Sequence, residues 1–231
     1  GDTTVTGGVI THSSGKNGSG IFMEGNGTFT MYGGTICGNY NSTAAGAGVR
    51  ATKSKIIMSG GAISGNVAGS SDSNKNGGGV YLNGDGSSFD MSGNAKITGN
   101  MCTGSACGGA GVYATNGEIT MNDSATISDN SSQSERGYGG GVFVSKNATF
   151  TMNDNATISG NSAYVTSTSS RNNTGGGVLV FGGTFIMNSG SIRDNTAENG
   201  AGVYVGESGS IPGTFTMNGG TITNNKGIEG N

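Results

Sequence analysis

Apolar residues return along this chain at fixed positions about 30 residues apart, separated by long polar stretches. One position follows a Gly-x-Gly pattern, a second holds methionine two residues after Phe or Ile, and a third holds isoleucine. Such recurrence at a fixed period is the signature of a repeat architecture. The first column is Ile21, Val49, Val80, Val112, Val142, Val178 and Val203. The methionine column is Met31, Met58, Met91, Met121, Met152, Met187 and Met217. The isoleucine column is Ile36, Ile63, Ile97, Ile127, Ile158, Ile192 and Ile222.

Within each repeat the apolar residues alternate with other residues. Val142 and Val144, Phe150 and Met152, and Ile158 are the inward positions of one repeat. Alternation at period two predicts three short strands per repeat. Because equivalent residues occur once per repeat, they should stack on parallel strands. The sequence therefore predicts an all-β fold, a right-handed single-stranded parallel β-helix of about 7.5 coils of about 30 residues. We expect residues 1–231 to form a single domain, a segment of a longer surface protein.

An asparagine follows each isoleucine of the third column by three residues. Two interpretations are open: a ladder of stacked amides, as in cross-β assemblies, or a residue that favours the turn. The asparagine column is Asn39, Asn66, Asn100, Asn130, Asn161, Asn195 and Asn225.

Composition narrows the classes of function. The chain has 49 glycines, one proline and 11% charged residues, with a net charge of -3. Abundant Gly disfavours helices. The small negative charge provides no basic field for nucleic acid or an anionic membrane. No apolar run is long enough for a transmembrane helix, so we expect no membrane insertion by this segment.

A further column lies between the inward residues of the first strand, where period two directs side chains outward. It is rich in aromatic residues, and it consists of Phe22, Arg50, Tyr81, Tyr113, Phe143, Leu179 and Tyr204. A stacking ladder that stiffens the sheet is one interpretation. The other is an exposed strip that packs against sugar rings, a protein partner or another copy of the chain. Arg50 would then donate hydrogen bonds to anionic or hydroxylated groups.

Candidate catalytic residues are sparse. Asp90 and Glu118 lie outward on neighbouring repeats and could approach each other, as the carboxylates of a polysaccharide hydrolase must. Asp123 and Asp154 follow methionines, where turn formation explains them better. His12 has no second histidine or nearby cysteine. The sequence thus predicts no catalytic site, no metal site and no cofactor.

Two other functions remain alternatives. Thr28-x-Thr30 and Thr149-x-Thr151 are similar to the threonine arrays of ice-binding solenoids, although Lys55 interrupts the grid. Open solenoid ends expose strand edges, which would let copies associate end to end as subunits of an extracellular filament.

The segments between each asparagine and the next Gly-x-Gly vary most. One contains Cys102 and Cys107, which could close a small disulfide ring in an oxidising exterior. Cys37 has no evident partner and is expected to be free, and the connectivity stays open. The longest segment, 162–174, carries Tyr164 and Arg171. Insertions of this kind collect on one edge of a solenoid.

The repeats resemble a known family. Gly33-Gly34-Thr35-Ile36, Gly60-Gly61-Ala62-Ile63 and Gly219-Gly220-Thr221-Ile222, each followed by Asn, resemble the repeats of polymorphic outer-membrane proteins and of other bacterial surface adhesins. The resemblance covers essentially the whole chain. It implies a right-handed β-helix, secretion to the cell surface, and adhesion to a host or neighbouring-cell glycan or protein.

Overall fold

Short alternating segments between Gly and Asn corners form strands throughout the computed structural model, which describes residues 1–15, 17–69, 76–163 and 173–228. Within these ranges the fold is all-β, and seven coils begin at the residues of the first column. Strands Thr3–Val5 and Val9–Thr11 precede them as part of an incomplete coil. The predicted parallel β-helix is confirmed. Tyr164 and Arg171 lie outside the described residues.

Each coil carries up to four strands. The first strands are Ile21–Glu24, Val49–Thr52, Val80–Met91, Val112–Met121, Val142–Ser145, Val178–Phe181 and Val203–Ser208. The second strands are Thr28–Met31, Lys55–Met58, Thr149–Met152, Thr184–Met187 and Thr214–Met217, while in coils 3 and 4 the first strand continues through this position. The third strands are Thr35–Cys37, Ala62–Ser64, Lys96–Thr98, Thr126–Ser128, Thr157–Ser159, Ser191–Arg193 and Thr221–Thr223. The fourth strands are Tyr40–Asn41, Val67–Gly69, Met101–Gly108, Ser131–Tyr138, Ser162–Ala163, Thr196–Ala197 and Lys226–Gly227.

The strands of successive coils pair in parallel and in register, as Val112 does with Val142 and Met121 with Met152. First and second strands share a 14-stranded sheet, third strands form an 8-stranded sheet and fourth strands a 7-stranded sheet. In coil 7 the strand Ile211–Pro212 turns back antiparallel to Glu207–Ser208 and forms a hairpin. The three sheets agree with the predicted three strands per coil. The fourth strands lie in segments that the sequence indicated as variable loops.

The core consists of continuous columns of the predicted apolar residues. Met121, Met152 and Phe150 are fully buried, and the rings of Phe150 and Phe185 stack with centroids 4.7 Å apart. Each fully buried side chain of this size contributes about 1.5–3 kcal/mol. Because every coil covers its neighbours, a chain with 32% hydrophobic residues has sufficient apolar surface to bury.

The asparagine column forms a ladder of buried amides at the corner between third and fourth strands. The Asn130 Oδ1 accepts from the backbone N–H of Asn100 at 2.9 Å and from its Nδ2 at 3.0 Å. The Asn130 Nδ2 donates to the carbonyl of Ile97 at 3.1 Å and to Oδ1 of Asn161 at 2.9 Å. The same bonds recur from Asn39 to Asn225. All donors and acceptors of each interior amide are thereby satisfied.

The asparagine ladder explains why the last residue of each Gly-x-Gly pattern is glycine. A Cβ added to Gly111 would lie 2.6 Å from the carbonyl oxygen of Gly141 and 2.9 Å from Nδ2 of Asn130. Gly79 and Gly177 have equivalent surroundings. Glycine is required here because the backbone packs directly against the amide ladder.

Cys102 and Cys107 lie in the fourth strand of coil 3, which corrects the expectation of a variable loop. Met101–Gly108 pairs in register with Ser131–Tyr138 because the two segments have equal length. Both sulfurs are buried, and each lies 3.5 Å from Oγ of Ser132. The two thiols are free rather than joined in a disulfide, and Cys37 is free as expected. Burial raises the pKa of Cys102 well above its usual range, whereas the hydrogen bond from Cys102 lowers the pKa of Cys107.

Removing one rung of the amide ladder should destabilise the fold strongly. Asn130→Ala leaves buried partners on Asn100, Ile97 and Asn161 without hydrogen bonds, and we expect it to lower the free energy of unfolding by at least about 3 kcal/mol. Asn153 is the matched control, since its amide bonds Asn122 and Asn188 on the outer face. Asn153→Ala should cost less than about 1 kcal/mol. Urea denaturation of both variants measures the difference, and equal losses would contradict a special role for the inner ladder.

Candidate functional site: an aromatic groove on the outer face of the first strands

The outward column is continuous but unevenly exposed. Register places Tyr81 beside Tyr113, and Tyr113 beside Phe143. Phe22 is 40% exposed, whereas Phe143 is only 8% exposed and Leu179 1%. Arg50, Tyr81, Tyr113 and Tyr204 are half-buried. The expectation of an open strip is therefore wrong at Phe143 and Leu179, because other side chains cover them.

Phe143 is covered because its ring leaves the parallel stack. It meets Tyr113 edge-on, with centroids 5.0 Å apart and planes at 77°, and it meets Phe181 at 6.3 Å with the same angle. Tyr138 contacts it from the end of a fourth strand, with centroids 6.2 Å apart. A Cβ at Gly108 would collide with the Phe143 ring, so glycine makes room for this orientation. Edge-to-face contacts of this kind are a favourable aromatic geometry.

Below Phe143 the column is a regular stack. The rings of Tyr81 and Tyr113 are parallel within 3° at 5.2 Å. Burial is the main cause that raises the pKa of both phenols. A hydrogen bond with Ser145 partly offsets the rise in the pKa of Tyr113, and the charge of Arg50 partly offsets it for Tyr81. Both phenols are therefore neutral near pH 7 and present uncharged ring surface.

A groove of about 480 Å³ runs beside the upper half of the column. Three successive first strands supply Tyr113, Phe143 and Leu179. Tyr138 lies four residues before the first strand of coil 5, and Phe181 ends the first strand of coil 6. The remaining lining residues are Asn76, Ala106, Ser145 and Ser208.

The groove combines apolar ring surface with a few polar groups and no charged side chain among its lining residues. Its volume lies within the range of about 300–1,000 Å³ that small-molecule sites occupy. Asn76 is held in place because its Oδ1 accepts from the backbone N–H of Gly108 at 2.9 Å. Such a surface suits a neutral ligand with one apolar face and hydroxyl groups at its edge.

Sequence reasoning missed the small lining residues Ala106 and Ser145. It also missed four lining residues with larger or polar side chains: Phe181, and the three residues Tyr138, Asn76 and Ser208. Phe181 was detectable, because the position three residues after the first-column valine holds the small polar residues Thr115 and Ser145 in the two preceding coils. The other three come from the fourth-strand side and from the hairpin of coil 7, which the repeat pattern does not include.

A second, polar cleft of about 410 Å³ lies at the turns between first and second strands. Lys55, Asp85 and Glu118 line it, together with Asn116 and Asn147. Glu118, one of the two carboxylates considered for hydrolysis, therefore lies in this cleft with Asp85 and the basic Lys55.

Asp90 and Glu118 do not share a register position. Glu118 lies beside Ser88 and Thr149, while Asp90 lies beside Ile57 and Thr120. Burial raises the pKa of Asp90, a hydrogen bond from Thr120 opposes that rise, and repulsion from Glu118 contributes less than either. Repulsion from Glu118 is thus a minor cause of the raised pKa of Asp90.

Asp123 and Asp154 form turns, with φ of 54° and 53°. The Asp154 carboxylate accepts from the backbone N–H of Asp123 at 3.0 Å, and the Asp123 carboxylate accepts from that of Gly93 at 2.9 Å. Their carboxylates therefore serve the backbone.

Comparisons of the chain with protein-family models, curated proteins and solved structures find no match. Among the described residues, no group of three or more His, Cys, Asp or Glu side chains is arranged to hold a metal ion. The part of the chain that the structure describes also contains no helix with the length and hydrophobicity of a membrane span.

The titration of Tyr81 tests the geometry of the column. Arg50→Gln removes a positive charge that lowers the pKa of Tyr81, so we expect this pKa to rise further above 10.0. The stability that neutral Tyr81 provides is complete below pH 10.0 and is lost as the pH rises through the folded-state pKa. Absorbance at 295 nm, as the difference between each protein and its Tyr81→Phe counterpart, isolates this phenol. An unchanged midpoint in Arg50→Gln would show that the guanidinium does not lie over the ring.

Proposed function

We propose that this chain is a non-enzymatic segment of an extracellular or cell-surface adhesin and that it binds a glycan in the aromatic groove. The observation that carries the proposal is the groove itself, which the exposed ring of Phe181 and the half-buried ring of Tyr113 border, while the covered side chains of Phe143 and Leu179 form its floor. Apolar surface left open to water in this way is typical of interaction sites.

The different roles of the inner and outer residues support an adhesin. The Met, Ile and Asn columns are fully occupied with packing and backbone hydrogen bonds, so they are structural. The outer positions vary from coil to coil and are free to contact a ligand. A solenoid stacked in this way provides an extended surface for binding.

A glycan fits the groove better than a protein segment. The C–H face of a pyranose ring packs on aromatic rings, and its equatorial hydroxyls find hydrogen-bonding groups on Ser145, Ser208 and Asn76. The described residues that line the groove offer no charged anchor for a peptide terminus or side chain.

A glycan array followed by calorimetry tests the proposal. Phe181, 37% exposed, and Tyr138 can each be replaced with little loss of core packing. We expect Phe181→Ser or Tyr138→Ser to weaken binding about 3- to 10-fold, since one aromatic contact contributes about 0.5–1.5 kcal/mol. The double variant should abolish detectable binding.

Tyr32→Ser is the matched control, because Tyr32 is 60% exposed and lies outside the groove. It should bind like the original protein. Glycan binding that survives the double variant, or a partner that proves to be a protein, would contradict the proposal.

A filament subunit is the second candidate function. In coil 7 the inward columns are uncovered: Met217 is 46% exposed and Ile222 36%, whereas Met187 and Ile192 one coil earlier are fully buried. A further coil stacked on this face would bury them, and a filament is the case in which a second copy supplies that coil.

Sedimentation velocity tests the filament. If copies associate at this face, the sedimentation coefficient should rise with protein concentration, and Met217→Lys should abolish the rise because it places a charge in the contact. A monomer at every concentration would contradict filament formation.

A further inference from the structure

Arg50 lies between two aromatic rings of the outward column. Its Cζ is 5.6 Å from the ring centroid of Phe22 and 5.4 Å from that of Tyr81. The three residues are register neighbours on successive first strands. Because the rings cover both faces of the guanidinium, only its planar edge can meet a further group. Cation–π contacts hold the group in place without using its N–H donors.

The polar atoms at this point of the column lack partners. Arg50 Nε is buried without a hydrogen bond, and so is Oγ1 of Thr52, two residues along the same outer face. The one ion pair seen within the described ranges is Arg193–Asp194, far along the rod. A buried donor without an acceptor costs about 1–3 kcal/mol. Both atoms are closed to solvent, so an acceptor from outside the chain reaches them only when the two side chains turn outward, and the recovered cost favours that turn.

We propose that Arg50 and Thr52 form a carboxylate-binding subsite, and that the ligand of the aromatic groove is an acidic oligosaccharide. The edge of a guanidinium presents parallel N–H donors that match the two oxygens of a planar carboxylate. The Thr52 hydroxyl supplies an additional donor beside it. This inference rests on the proposed glycan-binding function of the groove and specifies its ligand class.

The spacing of the column sets the size of the ligand. Arg50 and Phe143 are three coils apart, through Tyr81 and Tyr113. At about 4.8 Å per coil the separation is roughly 14 Å. A monosaccharide cannot span this distance, so a ligand that contacts both ends is an oligosaccharide lying along the solenoid axis. Its uncharged rings pack on the groove and its carboxylate binds Arg50.

Within the described residues, an acidic side chain lies in register beside the subsite. Glu24 is exposed and lies beside Thr52 in register. Its charge repels an anionic ligand, so Glu24→Gln should strengthen binding of a carboxylate. Lys53, which follows Thr52 at a positive-φ turn, favours the anion.

The first experiment probes Arg50 directly, whichever sugar the groove prefers. The Nε–H resonance of Arg50 is assigned by its loss in Arg50→Lys and is followed by NMR during titration with sodium glucuronate. We expect a progressive shift that methyl glucoside and sodium chloride of equal ionic strength do not produce. No shift at concentrations that fill a site with a Kd of about 10 mM would overturn the subsite. A shift produced equally by chloride would also overturn it, because the site would then be a non-specific anion contact.

The second experiment compares a glucuronate-containing octasaccharide with the same octasaccharide after reduction of its carboxyl groups and with a sulfated neutral octasaccharide. We expect the carboxylated form to bind most tightly. Arg50→Gln should weaken this binding about 10- to 100-fold, because hydrogen bonds to charged groups contribute about 1.5–3 kcal/mol. Arg50→Lys should recover little of the loss, since lysine keeps the charge without the fork. Tighter binding of the sulfated form would overturn the assignment to a carboxylate.

The two proposals fail in different ways. If carboxylated and reduced sugars bind equally and only Phe181→Ser and Tyr138→Ser weaken them, the groove binds glycans and the subsite is wrong. If glucuronate shifts the Arg50 resonance but these groove variants bind like the original protein, the proposed groove function is wrong. Near-native dispersion in the NMR spectrum of each variant confirms that it is folded.

Discussion

The fold depends on one constraint: each coil must place the same side chain directly above its equivalent in the coil before. The amide ladder imposes this register, because an Asn side chain shifted by one residue would leave buried donors and acceptors without partners. Glycines such as Gly111 let the neighbouring backbone approach the ladder. Polar hydrogen bonds and close backbone packing thus perform the aligning role, while Met, Phe and Ile columns supply the apolar burial.

Because the amide ladder and the apolar columns stabilise the interior, the outer side chains contribute little to the fold. A regular stack such as Tyr81 on Tyr113 forms where neighbouring coils place the same residue type at paired positions. Where Phe143 meets Leu179 in the next coil, no ring is available to continue the stack. Phe143 then turns edge-on toward Tyr113 and Phe181, and the groove opens beside it. The groove thus arises from a local departure from the repeat.

The same column changes its chemistry along its length. Its lower part offers a cation whose faces are covered by Phe22 and Tyr81, and its upper part offers uncharged rings with hydroxyl and amide groups at the rim. An elongated ligand with one acidic group and several apolar ring faces would satisfy both parts. The Arg50 cation and the groove lie on one surface, because the parallel, in-register strands align the outward residues of successive coils.

The sequence by itself determined the parallel β-helix, the inward residues of each coil and the position of the aromatic column. These features depend on the period of the sequence repeat and on the residue type at each position. Both recur in every coil, so the amino-acid sequence is sufficient to predict them. Tertiary structure alone decided that Cys102 and Cys107 lie on a strand, that Phe143 is covered, and that Tyr138 and Phe181 complete a groove. Each of these depends on which segments meet when the coils stack or on the orientation of one ring. Such contacts have no periodic signal, because they form only once coils are stacked.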